Sequence, residues 1–283
     1  SFPTRRSSDL LKSLKFAWDF NQNLERVTLP SSLQSLTLGH DFNQNFEQIN
    51  LPISLQSLQF GRCFDKNLRQ VTLPSSLQNL KFDGNFCKSL DQVTLPSSIQ
   101  SLTLGMLNDE RFEQVTLPDS LHSLTFGFDF NQSLERVSLP SNLLSLTFGY
   151  HFNQSLERIT LPSSLENLTF GNNFNQSLER VILPSSLRTL TFGSTFNHFL
   201  GQALPDGLQS LTFSNCFNQS LEDVALPRNL QSLTFGSQFN QSLEGVTLPS
   251  SLESLTFGIS FSEIMEEVTL PSNLRDIIFG NSF

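Results

Sequence analysis

Histidine, cysteine and carboxylate side chains are the groups of this sequence that could serve as bases, nucleophiles or metal ligands. The histidines are His40, His122, His151 and His198, and the cysteines are Cys63, Cys87 and Cys216. Their spacing matches no nucleophile, phosphate-loop or paired-cysteine motif. We therefore predict that the protein is not an enzyme and that it has no catalytic residue, cofactor or metal site.

Carboxylates recur at one phase of a 22-residue repeat. They are Glu25, Glu47, Asp91, Glu113, Glu135, Glu157, Glu179, Glu222, Glu244 and Glu266. Like charges stacked at strand spacing repel one another, but Arg26, Arg136, Arg158 and Arg180 follow four of them directly. We interpret this acidic column as a solvated, partly paired face, and the alternatives are a basic partner surface or weakly bound cations.

Two columns of polar residues each allow more than one interpretation of their role. Ser35 and Thr37 begin an S-x-T pattern that recurs along the chain, and we interpret it as the exposed side of a strand. Regularly spaced hydroxyls also suit ordered water or sugar, so ice or carbohydrate binding remains an alternative. The asparagines that follow a periodic phenylalanine, from Asn21 to Asn240, are expected to form a hydrogen-bonded ladder at a turn, and their N-Q-S sequons to be accidental.

The repeat that generates these columns is identified from phenylalanines at a regular spacing. Phe20, Phe42, Phe64 and Phe86 are followed by Asn108 and then by Phe130, Phe152, Phe174, Phe196, Phe217, Phe239 and Phe261. A fixed short period predicts a stacked array, here of twelve coils. Asn108 and the stretch Gly201 to Ala203, where one residue is deleted, are expected to mark the weakest stacking.

Each coil contains two copies of a pattern L-x-x-Φ-x-Φ, in which Φ is apolar: Leu24, Val27 and Leu29, then Leu33, Leu36 and Leu38. Apolar positions two apart predict a strand with one buried face. We therefore expect two short parallel strands per coil. The first should end at Pro30, and the second should end at Gly39, which can adopt a positive φ. With Phe20, seven apolar residues per coil should fill the interior.

The amino-acid composition limits the kinds of partner that this chain can bind. Asp and Glu outnumber Lys and Arg 26 to 17, so we expect neither nucleic acid nor an anionic membrane as a partner, and no apolar run is long enough to span a bilayer.

Ser1 to Leu10 can be encoded by a sequence resembling a sequencing-library adapter, and we expect them to be an artefact. Residues 11–283 are then one solenoid, cut at both ends, and a cytoplasmic location is favoured.

The two positions after the glycine of each coil vary most. The first of them carries Trp18, His40, Arg62, Met106, Phe128 and Tyr150 early in the chain, and Asn172, Ser194, Asn215 and Ser237 later. Loops on a rigid scaffold carry recognition, and aromatic, Met and Arg side chains are favoured at interfaces. We predict a partner-binding ridge formed by Met106, Leu107, Phe128, Tyr150 and His151, together with Trp18, His40 and Arg62.

Two blocks of the repeat are distinctive: F-G-x-x-F-N-Q, with Phe148, Gly149, Phe152, Asn153 and Gln154, and L-P-S-S-L at 161–165. With these blocks the sequence resembles the FNIP-repeat family. Bacterial surface leucine-rich proteins with I-P-x-S-V turns are a weaker match. The family resemblance implies a right-handed, mainly β, leucine-rich-like solenoid that binds proteins and has no catalytic residues.

The predicted function is therefore a non-enzymatic protein-interaction or scaffold module whose partner is an unidentified protein. Two alternatives come from other classes. One is an ice- or carbohydrate-binding adhesin that uses the Ser/Thr face, and the other is the accessory arm of an enzyme whose catalytic domain lies outside this sequence.

Overall fold

The computed structural model describes residues 10–84, 86, 90, 92–105, 112–201 and 204–280. They form two compact units, which we describe separately. The first comprises the described residues up to Gln132 together with Arg136–Leu143, and the second comprises Ser133–Glu135 and the described residues from Leu144 onward. Met106, Leu107, Asn108 and Asp91, on which some sequence predictions rest, lie outside the described residues.

The first unit contains six short strands and one turn of 3-10 helix. The strands are β1 (Ser13–Lys15), β2 (Ser35–Thr37), β3 (Ser57–Phe60), β4 (Asn79–Phe82), β5 (Ser101–Thr103) and β6 (Ser123–Thr125), and the helical turn is Phe112–Gln114. Each strand pairs in parallel with the next, and paired residues are 22 apart, as in Leu36 with Leu58.

The second unit contains seven strands in the same order. They are β7 (Ser145–Thr147), β8 (Asn167–Thr169), β9 (Thr189–Thr191), β10 (Ser210–Thr212), β11 (Ser232–Thr234), β12 (Ser254–Thr256) and β13 (Asp276–Ile278). Pairing is again parallel with an offset of 22, except that Leu190 pairs with Leu211 at an offset of 21. The sheet therefore keeps its register across the shortened coil. The prediction of a parallel β-solenoid with almost no helix is confirmed.

Two coils, one in each unit, are examples that show the predicted interior of seven apolar side chains in full. In one coil of the first unit these are all buried: Phe64, Leu68, Val71, Leu73, Leu77, Leu80 and Phe82. The same holds in the second unit for Phe174, Leu178, Val181, Leu183, Leu187, Leu190 and Phe192. Because the central leucine of each strand, or Ile277 in β13, points inward, its two neighbours face outward and are half-buried or exposed.

The structure differs from expectation in forming one strand per coil, not two. Among the described residues the second L-x-x-Φ-x-Φ copy makes the strand, whereas the first begins with a turn in which Val27 N donates to Leu24 O (2.9 Å). The proline that follows the first copy, such as Pro30, has no N–H to donate to a ladder. Phenylalanine rings nearer the sheet are 5.1 Å apart (Phe60 to Phe82), and rings farther from it are 6.2 Å apart (Phe42 to Phe64).

The rings of successive coils therefore lie closer together beside the sheet than away from it. The same gradient recurs in the second unit, with 5.4 Å between Phe235 and Phe257 and 6.1 Å between Phe239 and Phe261. Each unit therefore curves, and the sheet lies on its concave side.

The glycine that ends each strand has a different role from the one expected. Positive φ occurs among the described residues at Gly84, Gly201 and Gly245, and Gly39 does not adopt it. A Cβ atom on Gly39 would lie 1.9 Å from the carbonyl oxygen of Ala17 in the preceding coil. Glycine is needed here because adjacent backbones approach too closely for any side chain.

The coil shortened by one residue shows looser stacking near the sheet. Phe192 and Phe213 are 6.2 Å apart, compared with 5.5 Å for Phe170 and Phe192. Ser214 occupies the glycine phase in this wider gap, is fully buried, and donates its hydroxyl to Phe196 O at 2.5 Å. These distances agree with the expectation of weak stacking here, although residues 202 and 203 are outside the described residues.

The described part of the chain contains no helix with the length and apolar character needed to cross a membrane.

Candidate functional site: a groove along the strand ends of the first unit

The two positions after the glycine are held in place by backbone hydrogen bonds between coils. The N–H of the second position donates to the carbonyl of the first position one coil earlier, as for Asp41 to Trp18 (3.0 Å) and Cys63 to His40 (2.9 Å). Asn173 to Tyr150 and Cys216 to Ser194 repeat this bond in the second unit, each at 2.9 Å. Side chains 22 or 23 residues apart are thus brought into contact.

Three of the predicted partner-binding residues line one open groove in the first unit. Trp18, His40 and Arg62 lie along it, and its volume is about 870 Å³. Trp18 is 70% exposed, and its ring stacks on that of His40 with centroids 4.1 Å apart and planes 9° apart. Lys15 and Asp83 belong to the same groove, so its walls carry charge beside an aromatic platform.

A second groove of about 430 Å³ continues from the first. Arg62 and Asp83 line both grooves, and the second ends at Phe128, which is 49% exposed. Lys81 Nζ lies 3.0 Å from Asp83 Oδ1, and Gln59 Nε2 donates to Asp83 Oδ2 at 2.5 Å. Four of the predicted residues, Trp18, His40, Arg62 and Phe128, therefore lie on this strand-end groove.

The remaining predicted residues are placed differently. Tyr150 and His151 belong to the second unit, where Tyr150 is 39% exposed and its ring meets that of His151 edge-on at 5.0 Å. His151 Nδ1 lies 3.0 Å from Asn173 Nδ2. Met106 and Leu107, at the centre of the predicted ridge, lie outside the described residues.

Sequence reasoning missed one group of side chains. His40 Nδ1 is 2.7 Å from Asp41 Oδ1 and 3.8 Å from Cys63 Sγ, and Sγ is 3.9 Å from Asp41 Oδ1. All three side chains are partly exposed. Short-range motif spacing cannot detect this group, because Cys63 reaches the other two through coil stacking. The signal available was the common phase of Asp41 and Cys63.

The asparagine column is the hydrogen-bonded ladder that the sequence predicts. Asn21 Oδ1 accepts from Asn43 N at 2.9 Å, and Asn175 Oδ1 accepts from Asn197 N at 3.0 Å. The next coil's glutamine often adds a second bond, as Gln44 Nε2 does to Asn21 Oδ1. These side chains satisfy turn N–H groups, so the column is structural in both units.

The acidic column is partly neutralised by arginines of the following coil. Arg136 pairs with Glu113 at 3.5 Å, and Arg158 pairs with Glu135 at 3.9 Å. Both arginines are largely exposed, so each pair contributes little to stability. The pairing agrees with the interpretation of a solvated face. Because part of its charge is neutralised, this column is a weaker candidate for a binding site than the groove.

The outward column at the third strand position differs between the units. In the second unit it is threonine in six successive strands: Thr147, Thr169, Thr191, Thr212, Thr234 and Thr256. In the first unit Lys15, Gln59 and Lys81 interrupt it. The hydroxyl array is therefore a feature of the second unit.

Comparison with solved structures supports this architecture. The chain is similar to CroV588, described as a novel circular LRR protein, with 37% identity, a TM-score of 0.80, and coverage of 96% of this chain. The chain spans 43% of that protein's length. Internalin InlF from Listeria monocytogenes str. 4b F2365 shares 16% identity with a TM-score of 0.62, over 99% of this chain and 83% of the internalin, and so shows the fold alone.

No curated protein sequence matches the chain. The FNIP Repeat model, in contrast, matches in ten segments, most of which overlap: 9–41, 20–63, 64–107, 108–151, 130–173, 152–195, 174–216, 196–238, 217–260 and 239–282. These segments cover nearly the whole sequence and follow the period that the phenylalanines define. The chain therefore belongs to the FNIP-repeat family.

Proposed function

We propose that this protein is a non-enzymatic interaction module and that the strand-end groove of the first unit binds an extended segment of a protein partner. The observation that supports this most is Trp18, a large aromatic side chain that is 70% exposed and is held by stacking on His40. An exposed aromatic residue of fixed orientation is a frequent binding hot spot, because little conformational entropy is lost when a partner covers it.

The charges of the groove indicate the kind of partner. Lys15 and Arg62 line it, although the chain as a whole carries a net charge of -9. Lys81 adds a third basic side chain on the neighbouring sheet face and pairs with Asp83. A segment that places an apolar side chain on Trp18 and a carboxylate near Arg62 would complement both features.

The concave sheet next to the groove favours a protein segment over a flat ligand. Each unit curves with its strands inward, so a partner that follows the strand ends contacts several coils at once. Solenoids use such concave surfaces for extended contacts.

A second candidate function is carbohydrate binding by the second unit. The observation that favours it is the unbroken column of six threonines from Thr147 to Thr256 on the outward face. Regularly spaced hydroxyls can hydrogen-bond a sugar directly or through ordered water. Ice is a poorer match because the face is concave and an ice plane is flat.

Selection from a displayed peptide library on the whole chain tests the first proposal. We expect enriched peptides with an acidic residue near an aromatic or aliphatic one. Their affinity should fall about 30-fold, or ~2 kcal/mol, for Trp18→Ala and should fall clearly for Arg62→Ala. Ile53→Ala is the matched control, since Ile53 is 86% exposed and lines neither groove.

Peptides that bind Trp18→Ala and Arg62→Ala as tightly as the unaltered chain would contradict the groove proposal. A glycan array screened with the same proteins tests the second candidate. Binding that is lost on Thr191→Lys and kept on Trp18→Ala would favour carbohydrate recognition by the second unit.

A further inference from the structure

We propose that His40, Asp41 and Cys63 form a binding site for a divalent metal ion of the zinc class on the strand-end side of the first unit. An imidazole nitrogen, a carboxylate oxygen and a sulfur meet there, and each is a ligand that Zn²⁺ accepts. The site goes beyond the proposed partner binding, because a metal ion can bind it with no partner present.

Two of the three distances between these atoms are close to those of a tetrahedral site. With usual ligand lengths, tetrahedral Zn²⁺ separates nitrogen from oxygen by about 3.4 Å and sulfur from either by about 3.6 Å. Here sulfur lies 3.8 Å from His40 Nδ1 and 3.9 Å from Asp41 Oδ1. Nδ1 and Oδ1 are 2.7 Å apart, at hydrogen-bond distance, and would have to move about 0.7 Å apart, to about 3.4 Å, when a metal ion replaces the proton between them.

The fold holds these ligands before any metal binds. The Asp41 N–H donates to Trp18 O and the Cys63 N–H donates to His40 O, so the coil that carries His40 and Asp41 is tied to both of its neighbours at the site itself. The His40 ring is stacked on Trp18 at 4.1 Å, which restricts its rotation. Asp41 is adjacent to His40 in sequence and Cys63 comes from the next coil. Little side-chain conformational freedom is therefore left to be lost when a metal ion binds.

The ligand set also indicates which ions bind. Thiolate and imidazole together favour Zn²⁺ and neighbouring transition metals over Mg²⁺ and Ca²⁺, which prefer oxygen ligands. Cys63 would bind as the thiolate and release its proton to solvent. Three protein ligands leave one tetrahedral position for water, in agreement with the partial exposure of all three side chains.

The second unit supplies a matched comparison. Cys216 occupies the same position after the glycine phase as Cys63, and its N–H makes the same bond, to Ser194 O at 2.9 Å. The residues that correspond to His40 and Asp41 one coil earlier are Ser194 and Thr195. Thr195 Oγ1 donates to Asn172 O at 2.9 Å, so this hydroxyl is used in a backbone contact. Cys216 therefore tests a cysteine in the same backbone setting without the other two ligands.

Titration of the whole chain with Co²⁺ and then Zn²⁺, under a reductant that does not bind metals, tests the proposal. We expect a sulfur-to-cobalt charge-transfer band that Zn²⁺ abolishes, with about one ion bound per chain. Loss of an outer-sphere partner weakens metal binding about 10- to 100-fold, so loss of a direct ligand should raise the Kd for Zn²⁺ by ~100-fold or more. Cys63→Ser and Asp41→Asn are the test variants, and Cys216→Ser is the control.

The outcomes separate cleanly. Loss of the band in Cys63→Ser, weaker Zn²⁺ binding in Asp41→Asn and unchanged binding in Cys216→Ser would support the site. Absence of the band in the unaltered chain, or equal Zn²⁺ affinity in Cys63→Ser and Cys216→Ser, would overturn it. Circular dichroism of each variant checks that the solenoid is intact. Cys63 and Asp41 do not line the groove, so failure here leaves the groove proposal standing.

Discussion

The two units of this protein share one interior and differ in their exposed positions. Stacked phenylalanines lie 6.2 Å apart between Phe42 and Phe64 in the first unit and 6.1 Å apart between Phe152 and Phe174 in the second. On the outside, the first unit carries Trp18, His40, Arg62 and Phe128 at the first position after the glycine phase, which is Ala17 before Trp18. It also carries lysines on its sheet. The second carries small polar residues in most of these loops and an unbroken threonine column.

The difference shows how the repeat divides its positions. Interior phases must be apolar in every coil because each side chain stacks on its counterparts above and below. Outer phases make few such contacts and can differ without loss of the fold. Recognition is therefore expected where the outer phases depart most from the repeat, which is in the first unit.

The largest predicted effect tests whether the two interiors are equivalent. Phe64→Ala and Phe174→Ala each remove a fully buried ring, and each should lower the free energy of unfolding by about 3 to 5 kcal/mol. Denaturant unfolding measures both. Ile53→Ala and Ile182→Ala, at residues that are 86% and 89% exposed, should change it by less than about 0.5 kcal/mol. A much smaller cost in one unit would show that its interior is less tightly packed.

The next prediction concerns two glycines that are required for different reasons. A Cβ atom on Gly236 would lie 1.9 Å from Ser214 O, so Gly236→Ala should cost about 2 kcal/mol or more by forcing the coils apart. Gly245 has open space around its Cβ position but a φ of 77°, so Gly245→Ala should cost only about 1 kcal/mol. Thermal unfolding of both variants should rank them in this order, and the reverse order would refute the close-approach argument.

A smaller effect is expected for the asparagine ladder. Asn43→Ala removes the acceptor for Asp65 N, and Asn175→Ala removes the acceptor for Asn197 N, both at 3.0 Å. Each should cost about 0.5 to 1.5 kcal/mol, because the turns are exposed and water replaces part of the lost bond. Amide hydrogen exchange at Asp65 and Asn197 should accelerate to a similar degree. Faster exchange in one unit only would mean that the ladder is not equivalent in both.

The smallest effect is expected for the exposed ion pairs of the acidic column. Arg136→Ala in the first unit and Arg158→Ala in the second should each lower stability by less than about 1 kcal/mol. The loss should shrink further when salt is added, because exposed charges are screened. A salt-independent cost in either variant would indicate that packing of the arginine stem, and not its charge, is what stabilises the coil.

Several residues of the candidate groove could be predicted from their position within the 22-residue repeat. Trp18, His40 and Arg62 share the first position after the glycine, and stacking at a period of 22 must place them side by side. Two details were not predictable. Among the described residues, the second copy of the L-x-x-Φ-x-Φ pattern forms a strand and the first does not, although the two copies have the same apolar spacing. The role of Gly39 depends on how closely Ala17 O approaches it.

The sequence by itself determined the period, the interior phases and the family, because a stacked repeat has no other way to bury the same leucines and phenylalanines in every coil. The tertiary structure alone decided that His40, Asp41 and Cys63 come within 4.8 Å of one another. It also decided that the sheet lies on the concave side of each unit. Both follow from the distance and angle between successive coils, which depend on how side chains pack across the whole cross-section and not on the type of any single residue.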